Sequence, residues 1–214
     1  MSSDLPNATP SPTPDESLTG GELVERVRRR GAPLLEALES HTPGSREHAE
    51  ATGSYAFAGA VGIGLDRDTA DVCRETAKLH DIGMIYVPAA VTGKPFDSWS
   101  AEEREVFDAH YDAGAKLARG AGIPEDVCGW LLQIRERYDG HGPEGLAEKA
   151  IPVAARVARA ACACDTLLAA GGRGEPTPER RREAIERLRS GSGRELDPAL
   201  VDALVRVLET GTPA

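Results

Sequence analysis

Aromatic residues are scarce in this chain: Phe, Trp and Tyr make up 4% of its 214 residues, although 40% are hydrophobic. A core of stacked rings is therefore excluded, and the interior must be built from Ala, Leu, Val and Ile. Small side chains permit close helix contacts, and alanine has the highest helix propensity. No sustained period-two alternation is present, so no strand is expected. There is also no apolar run long enough to span a bilayer, and no signal peptide is expected. Basic residues are in deficit, with 25 Lys and Arg against 35 Asp and Glu and a net charge of −10. That balance excludes general nucleic-acid binding, which needs a basic footprint. It leaves room for a small anion held by a local group of cations. The four cysteines, Cys73, Cys128, Cys162 and Cys164, fall within helical patterns. They read as reduced thiols of a cytoplasmic protein, structural and buried, with Cys162-x-Cys164 a weak metal signal.

Residues 1–20 are rich in Pro, Ser, Thr and Asp and are expected to form a disordered tail, leaving residues 21–212 as one helical domain. A first helix is expected from Glu22, with a break at Gly31-Ala32-Pro33 and with Arg28-Arg29-Arg30 as a solvated face. A second runs over 45–62 and a third from about Asp66 to Gly83, with Ala70, Cys73, Ala77 and His80 on one stripe. Residues 84–99 read as irregular, broken by Pro88, Gly93 and Pro95. Ser100 and Glu103 form a capping box that opens a helix through His110. Further helices are expected from Pro124 to about Tyr138, from Pro152 to about Ala169, and over 178–190 and 198–209. Asp197 and Pro198 supply the last with an N-cap and a first helical residue.

The segment Leu79-His80-Asp81-Ile82-Gly83 carries the chemistry. Adjacent His and Asp at the end of an apolar-striped helix put an imidazole and a carboxylate at one point. His48 and His110 lie about one helix away on either side. Such ligands suit Zn, Fe or Mn, and a divalent ion can activate water and polarise a phosphoryl oxygen. A lone helix histidine is ordinarily a packed or solvent-facing side chain; the adjacent pair shifts the balance toward a metal centre.

Taken together, the motifs resemble those of the HD-GYP family within the HD phosphohydrolase superfamily. The matching segments are His48; Leu79-His80-Asp81-Ile82-Gly83-Met84-Ile85-Tyr86-Val87-Pro88; Lys94-Pro95; Glu102-Glu103 and His110; Glu136-Arg137-Tyr138-Asp139-Gly140-His141-Gly142-Pro143; Ile151-Pro152; Ala155-Arg156-Val157; and Leu196-Asp197-Pro198. The resemblance implies an all-α HD-type helical bundle, a centre of two or three metals, and hydrolysis of the bacterial second messenger cyclic di-GMP.

The sequence departs from that pattern at several positions. Ile134-Arg135 stands where the family has a His-His pair, Cys162 where it has a later Asp, and Met84 where it has Lys. The Gly-Tyr-Pro tyrosine is missing at Gly142-Pro143, and a Gly-rich stretch around Arg173 replaces Arg-Pro-Tyr-Arg. The resemblance then implies metal ligands His48, His80, Asp81 and His110. Cys162 can serve as a thiolate ligand of the first metal, Asp165, one turn on, is a further candidate, and His141 reads as a water-exposed loop histidine with a stray ligand as its alternative. At most one divalent transition metal, Fe, Mn or Zn, is expected, or none. Asp81 is the catalytic candidate. Lys94, Arg137 and Asp139 lie where the family gathers substrate-binding groups, and Arg135 adds charge for a phosphate.

The implied function is that of a degenerate, weak or inactive cyclic di-GMP phosphodiesterase homologue acting as a nucleotide- or partner-binding module. The alternative is an active mononuclear phosphohydrolase acting on cyclic di-GMP or another phosphoester. Expected partners are a cyclic dinucleotide or other phosphoester, a second copy of the chain or a signalling protein. Neither general nucleic-acid binding nor a membrane is expected.

Overall fold

The computed structural model describes residues 18–94 and 98–210, and every regular element among them is helical. Pro95 and residues 1–17, most of the expected tail, lie outside the described residues; Thr19 and Gly20 open the first helix. That helix, α1 (Gly20–His41), begins on a reciprocal capping box between Thr19 and Glu22. It runs unbroken through Gly31-Ala32-Pro33, correcting the expected break. Val24, Val27, Gly31 and Leu38 keep one buried stripe across the proline, while Pro33 sits on the exposed side. The hydrogen bond that Pro33 cannot donate is thus lost where water can satisfy the free carbonyl. Arg28, expected to be solvated only, reaches the buried Glu75 at 3.2 Å.

Helix α2 (Ser45–Gly62) buries Ala49, Gly53, Ala56 and Ala60 at helical spacing. This small-residue face lets it pack closely against α3 (Arg67–Lys78), α7 (Val153–Ala169) and α9 (Pro198–Thr210). Alanine also dominates the buried face of α7, with Ala154, Ala155, Ala158 and Ala161. The aromatic-poor composition therefore yields a dense centre through close backbone approach.

Helix α3 starts on Asp66, whose carboxylate accepts from the Thr69 N–H at 3.0 Å. It ends at Lys78, earlier than expected. From there the chain tightens into bonds three residues long: His80 N–H to Ala77 O, Ile82 to Leu79, Met84 to Asp81 and Val87 to Met84. The stretch Ile82–Tyr86 is 3-10 helix, followed by the short α4 (Ala89–Thr92), so part of the segment expected to be irregular is helical. The capping box of Ser100 and Glu103 opens α5 (Ala101–Gly120).

Helix α6 (Glu125–Gln133) stops short of Tyr138. Glu136 turns inward there, 1% exposed, and accepts the N–H groups of Glu144 and Leu146 at 2.8 and 3.0 Å. It thereby knots the 136–146 loop back on itself. After α8 (Pro178–Gly191), Asp197 caps α9 by accepting from Ala199 N–H at 2.9 Å while its other oxygen pairs with Arg156.

Candidate metal centre

Four elements deliver the centre. His48 comes from the first turn of α2, His80 and Asp81 from the tight turn after α3, His110 from α5, and Cys162 from α7. His48 Nε2 lies 3.1 Å from His80 Nε2 and 3.5 Å from Asp81 Oδ2. Asp81 Oδ1 lies 3.2 Å from His80 Nε2 and 3.6 Å from His110 Nε2. Ligand atoms of His48, His80 and Cys162 all fall within 4.8 Å of one another. Gly83 makes the approach to α5 available: a Cβ there would collide with the His110 carbonyl and the Gly114 backbone nitrogen.

Each imidazole is fixed from behind. His48 Nδ1 meets Asp165 Oδ2 at 2.5 Å, His80 Nδ1 donates to Ala77 O at 2.8 Å, and His110 Nδ1 donates to Phe107 O at 2.5 Å. Anchoring the far nitrogen to a carboxylate or carbonyl sets the tautomer that leaves Nε2 free as a ligand. Asp165 is itself held by Arg173, at 3.1 Å to one oxygen and 3.0 Å to the other. Asp165, one turn beyond Cys162, therefore orients His48 instead of entering the cluster beside it.

The residues present fit a metal ion. His110 Nε2 is buried without a hydrogen-bond partner among the described residues, aimed at Asp81. A buried polar atom left unpaired is costly unless something else satisfies it. The electrostatics point the same way. Burial lowers the proton affinity of His48, but hydrogen bonds to Asp165, Asp81 and Cys162 more than reverse this, raising its pKa to about 12. For His80 burial is likewise outweighed by Asp81 and Cys162, giving about 9. Burial would raise the Cys162 thiol, yet His80 and His48 draw it down to about 6. Asp81 is held ionised despite burial by His80, His48 and His110. A carboxylate and a low-pKa thiol that pull protons onto neighbouring imidazoles form an environment built for positive charge. Imidazole, thiolate and carboxylate suit Zn or Fe.

The remaining candidates are placed elsewhere. Lys94 pairs with Glu103. Arg135 points to Asp112 at 3.4 Å. Arg137 grips Asp139 through two bonds of 3.0 and 2.7 Å, and Asp139 also accepts the His141 N–H. The His141 side chain is exposed near Asp139. None of these five lines the cavity into which the centre opens, a space of about 590 Å³. Ile134, 2% exposed, forms part of its wall. The basic groups that do line it are Arg159, Arg187 and Arg194. Of these, Arg159 was legible in principle, since it precedes Cys162 by one turn of α7. Arg187 and Arg194 reach the cavity only through the packing of α8 and the loop after it. Three of the cysteines, Cys73, Cys128 and Cys164, are buried as expected, and Cys162 alone is partly open.

The sequence matches the HD domain family over residues 34–200. The chain belongs to the HD-domain family. This HD domain is 34% identical over 190 residues to the cyclic di-GMP phosphodiesterase response regulator RpfG of Xanthomonas campestris pv. campestris, covering 86% of the chain and 49% of that protein. The chain thus spans about half the length of this curated relative. Among solved structures, it resembles Bd1817, an HDG"Y"P protein from Bdellovibrio bacteriovorus, with a TM-score of 0.63 and 22% identity, covering 89% of this chain and 61% of that one. It also resembles the HD domain of the phosphodiesterase PgpH from L. monocytogenes in complex with cyclic-di-AMP, with a TM-score of 0.58 and 18% identity, covering 85% and 98%. At these identities the structural likeness is one of fold: the all-α HD bundle. No helix among the described residues is long and apolar enough to cross a membrane.

Proposed function

We propose that this HD domain binds a cyclic dinucleotide, cyclic di-GMP in the first instance, at a centre for one divalent metal, and hydrolyses it weakly or not at all. The observation that carries the reading is an asymmetry around Asp81. His48, His80 and Cys162 form one group, with ligand atoms within 4.8 Å of one another. His110 is not part of that group; its Nε2 lies 3.6 Å from Asp81 Oδ1, while Ile134 lines the cavity as an apolar residue and Arg135 is turned to Asp112. A first ion has a ligand group in His48, His80 and Cys162, with Asp81 beside the two imidazoles; among the described residues a second would have Asp81 and His110.

When bound, the ion supplies Lewis acidity at a phosphoryl oxygen. The chain supplies the rest. Asp165 and Arg173 hold the His48 ring in register. Asp81, ionised and partly open to the cavity, is the residue placed to orient a water by hydrogen bonding. Phe107, Tyr111 and Ile134 present an apolar wall that limits water. The names of RpfG and PgpH, a cyclic di-GMP phosphodiesterase and a phosphodiesterase seen with cyclic-di-AMP, support the ligand class. Weak hydrolysis follows from the missing second ligand pair and from Met84, which stands near His48 and Asp81 where the resemblance implies a lysine. Losing one preorganised stabiliser typically costs about 10²–10³ in rate, so two losses amount to about 10⁴ or more if independent.

The test is binding and turnover of cyclic di-GMP by the metal-loaded protein. Saturable binding with turnover far below about 1 per second is expected; turnover at that rate or faster would overturn weak hydrolysis. It would favour an active mononuclear phosphohydrolase, the second reading kept open by the retained His48, His80 and Asp81 with Cys162 beside them.

A further inference from the structure

Besides the metal centre, the cavity has a second charged region. It comprises Arg159 on α7, Arg187 near the C-terminus of α8, and Arg194 in the loop joining α8 to α9. Arg159 is engaged with backbone, its Nε donating to Glu195 O and its Nη1 to Ile134 O, both at 3.1 Å. Arg187 and Arg194 have no side-chain partner among the described residues. The acidic residues lining the same cavity are Asp81, within the metal centre, and Glu195, whose carboxylate lies 3.3 Å from Arg137 Nη1. Arg137, shared between Glu195 and Asp139, draws the Glu195 carboxylate toward itself and offsets part of its charge, so the two arginines are not fully cancelled. In a chain of net charge −10, most arginines find acids; here two face a cavity whose remaining wall is largely apolar, including Phe107, Tyr111, Leu188 and Leu196. A guanidinium matches two phosphate oxygens at once and keeps its charge at any working pH.

We infer that Arg187 and Arg194 form a second phosphate subsite, so that the cavity takes a ligand with two phosphate groups, one at the metal centre and one at these arginines. The ligand class is a dinucleotide, cyclic or linear, as opposed to a mononucleotide. This assignment rests on reading the cavity as a phosphodiester site, and it adds a determinant of ligand size to it.

The test compares the full chain with its Arg187→Ala/Arg194→Ala variant by titration calorimetry. The ligands are cyclic di-GMP, the linear dinucleotide with a 5′ phosphate, GMP and inorganic pyrophosphate. Both side chains are exposed and unpaired, so the variant should fold, which an unchanged thermal midpoint would verify. Affinity for both dinucleotides should fall by about tenfold or more, while GMP affinity of the metal-loaded protein should change by less than about twofold. A larger loss for the linear form would identify a terminal phosphate as the preferred occupant; equal losses would identify a diester. Unchanged dinucleotide affinity, or an equal loss for GMP, would overturn the two-phosphate assignment and leave the metal centre untouched. If the natural chain binds neither dinucleotide, the phosphodiester reading falls by itself. The subsite is then decided by pyrophosphate on chelator-treated protein: binding that the variant loses upholds it, and no binding by the natural chain overturns it.

Discussion

Asp165 Oδ2 stands 2.5 Å from His48 Nδ1, and both oxygens of that carboxylate are held by Arg173. A residue on α7 and one in the Gly-rich stretch after it therefore decide how a histidine on α2 presents its other nitrogen. Replacing an outer partner of this type typically lowers metal affinity about 10- to 100-fold. Asp165→Asn should do so, measured by competition with a chromogenic chelator, and Arg173→Ala should have a smaller effect in the same direction. Unchanged affinity in Asp165→Asn would mean that packing alone orients His48.

Gly83 is the contact point between the turn bearing Asp81 and the backbone of α5. A methyl group there meets the His110 carbonyl and the Gly114 backbone nitrogen, neither of which can swing aside. Gly83→Ala should destabilise the fold by about 1–3 kcal/mol or more, the range for overpacking a filled site, and should weaken metal binding as well. Gly129 is the control: it lies in α6 with nothing within 4 Å of a built Cβ. Gly129→Ala should stabilise by about 0.5–1 kcal/mol. Urea unfolding of the two variants gives opposite signs if the contact is as described.

Glu136 holds the 136–146 loop by accepting two backbone N–H groups in a buried position. Glu136→Ala strands both donors and should cost about 1–3 kcal/mol, with faster amide exchange at Glu144 and Leu146. Glu136→Gln keeps an acceptor and should cost less. Protection at Glu144 and Leu146 that survives Glu136→Ala would show that the loop is held by other contacts.

Ile134 and Arg135 are neighbours with different outlooks. Ile134 lines the cavity with His80 and Asp81, whereas Arg135 faces Asp112. Ile134→His should therefore contribute more than Arg135→His toward holding a second ion. With Cys162→Asp and Met84→Lys added, cyclic di-GMP turnover should rise by about 10²-fold or more. Activity that does not respond to the full set would move attention to the shortened loop at Gly142-Pro143.

Much of this arrangement was legible in the sequence because local chemistry decides it. The capping box at Ser100, the start of α3 at Asp66 and the Asp197-Pro198 opening of α9 each depend on residues within one turn. His48, His80, Asp81 and His110 were legible through the adjacent His80-Asp81 pair and the resemblance to the HD-GYP pattern, which implies that they converge. Other features depended on distant parts of the chain. Pro33 leaves α1 intact because a buried stripe either side of it packs against the bundle. The end of α6 follows from Glu136 turning inward to meet N–H groups eight and ten residues on. Arg187 and Arg194 carry no motif and line the cavity only through the packing of α8 and the loop after it. Lys94, Arg135, Arg137 and Asp139 were candidates by position, but each finds an opposite charge nearby and none lines the cavity.

The central claim is a centre for one metal, held by His48, His80, Asp81 and Cys162. Elemental analysis of the purified full chain, set beside its His48→Ala variant, tests it most directly. The account predicts one equivalent of a divalent transition metal per chain, lost in His48→Ala while the helical circular dichroism is retained. Two equivalents in the natural chain, none at all, or one that persists in His48→Ala would contradict it.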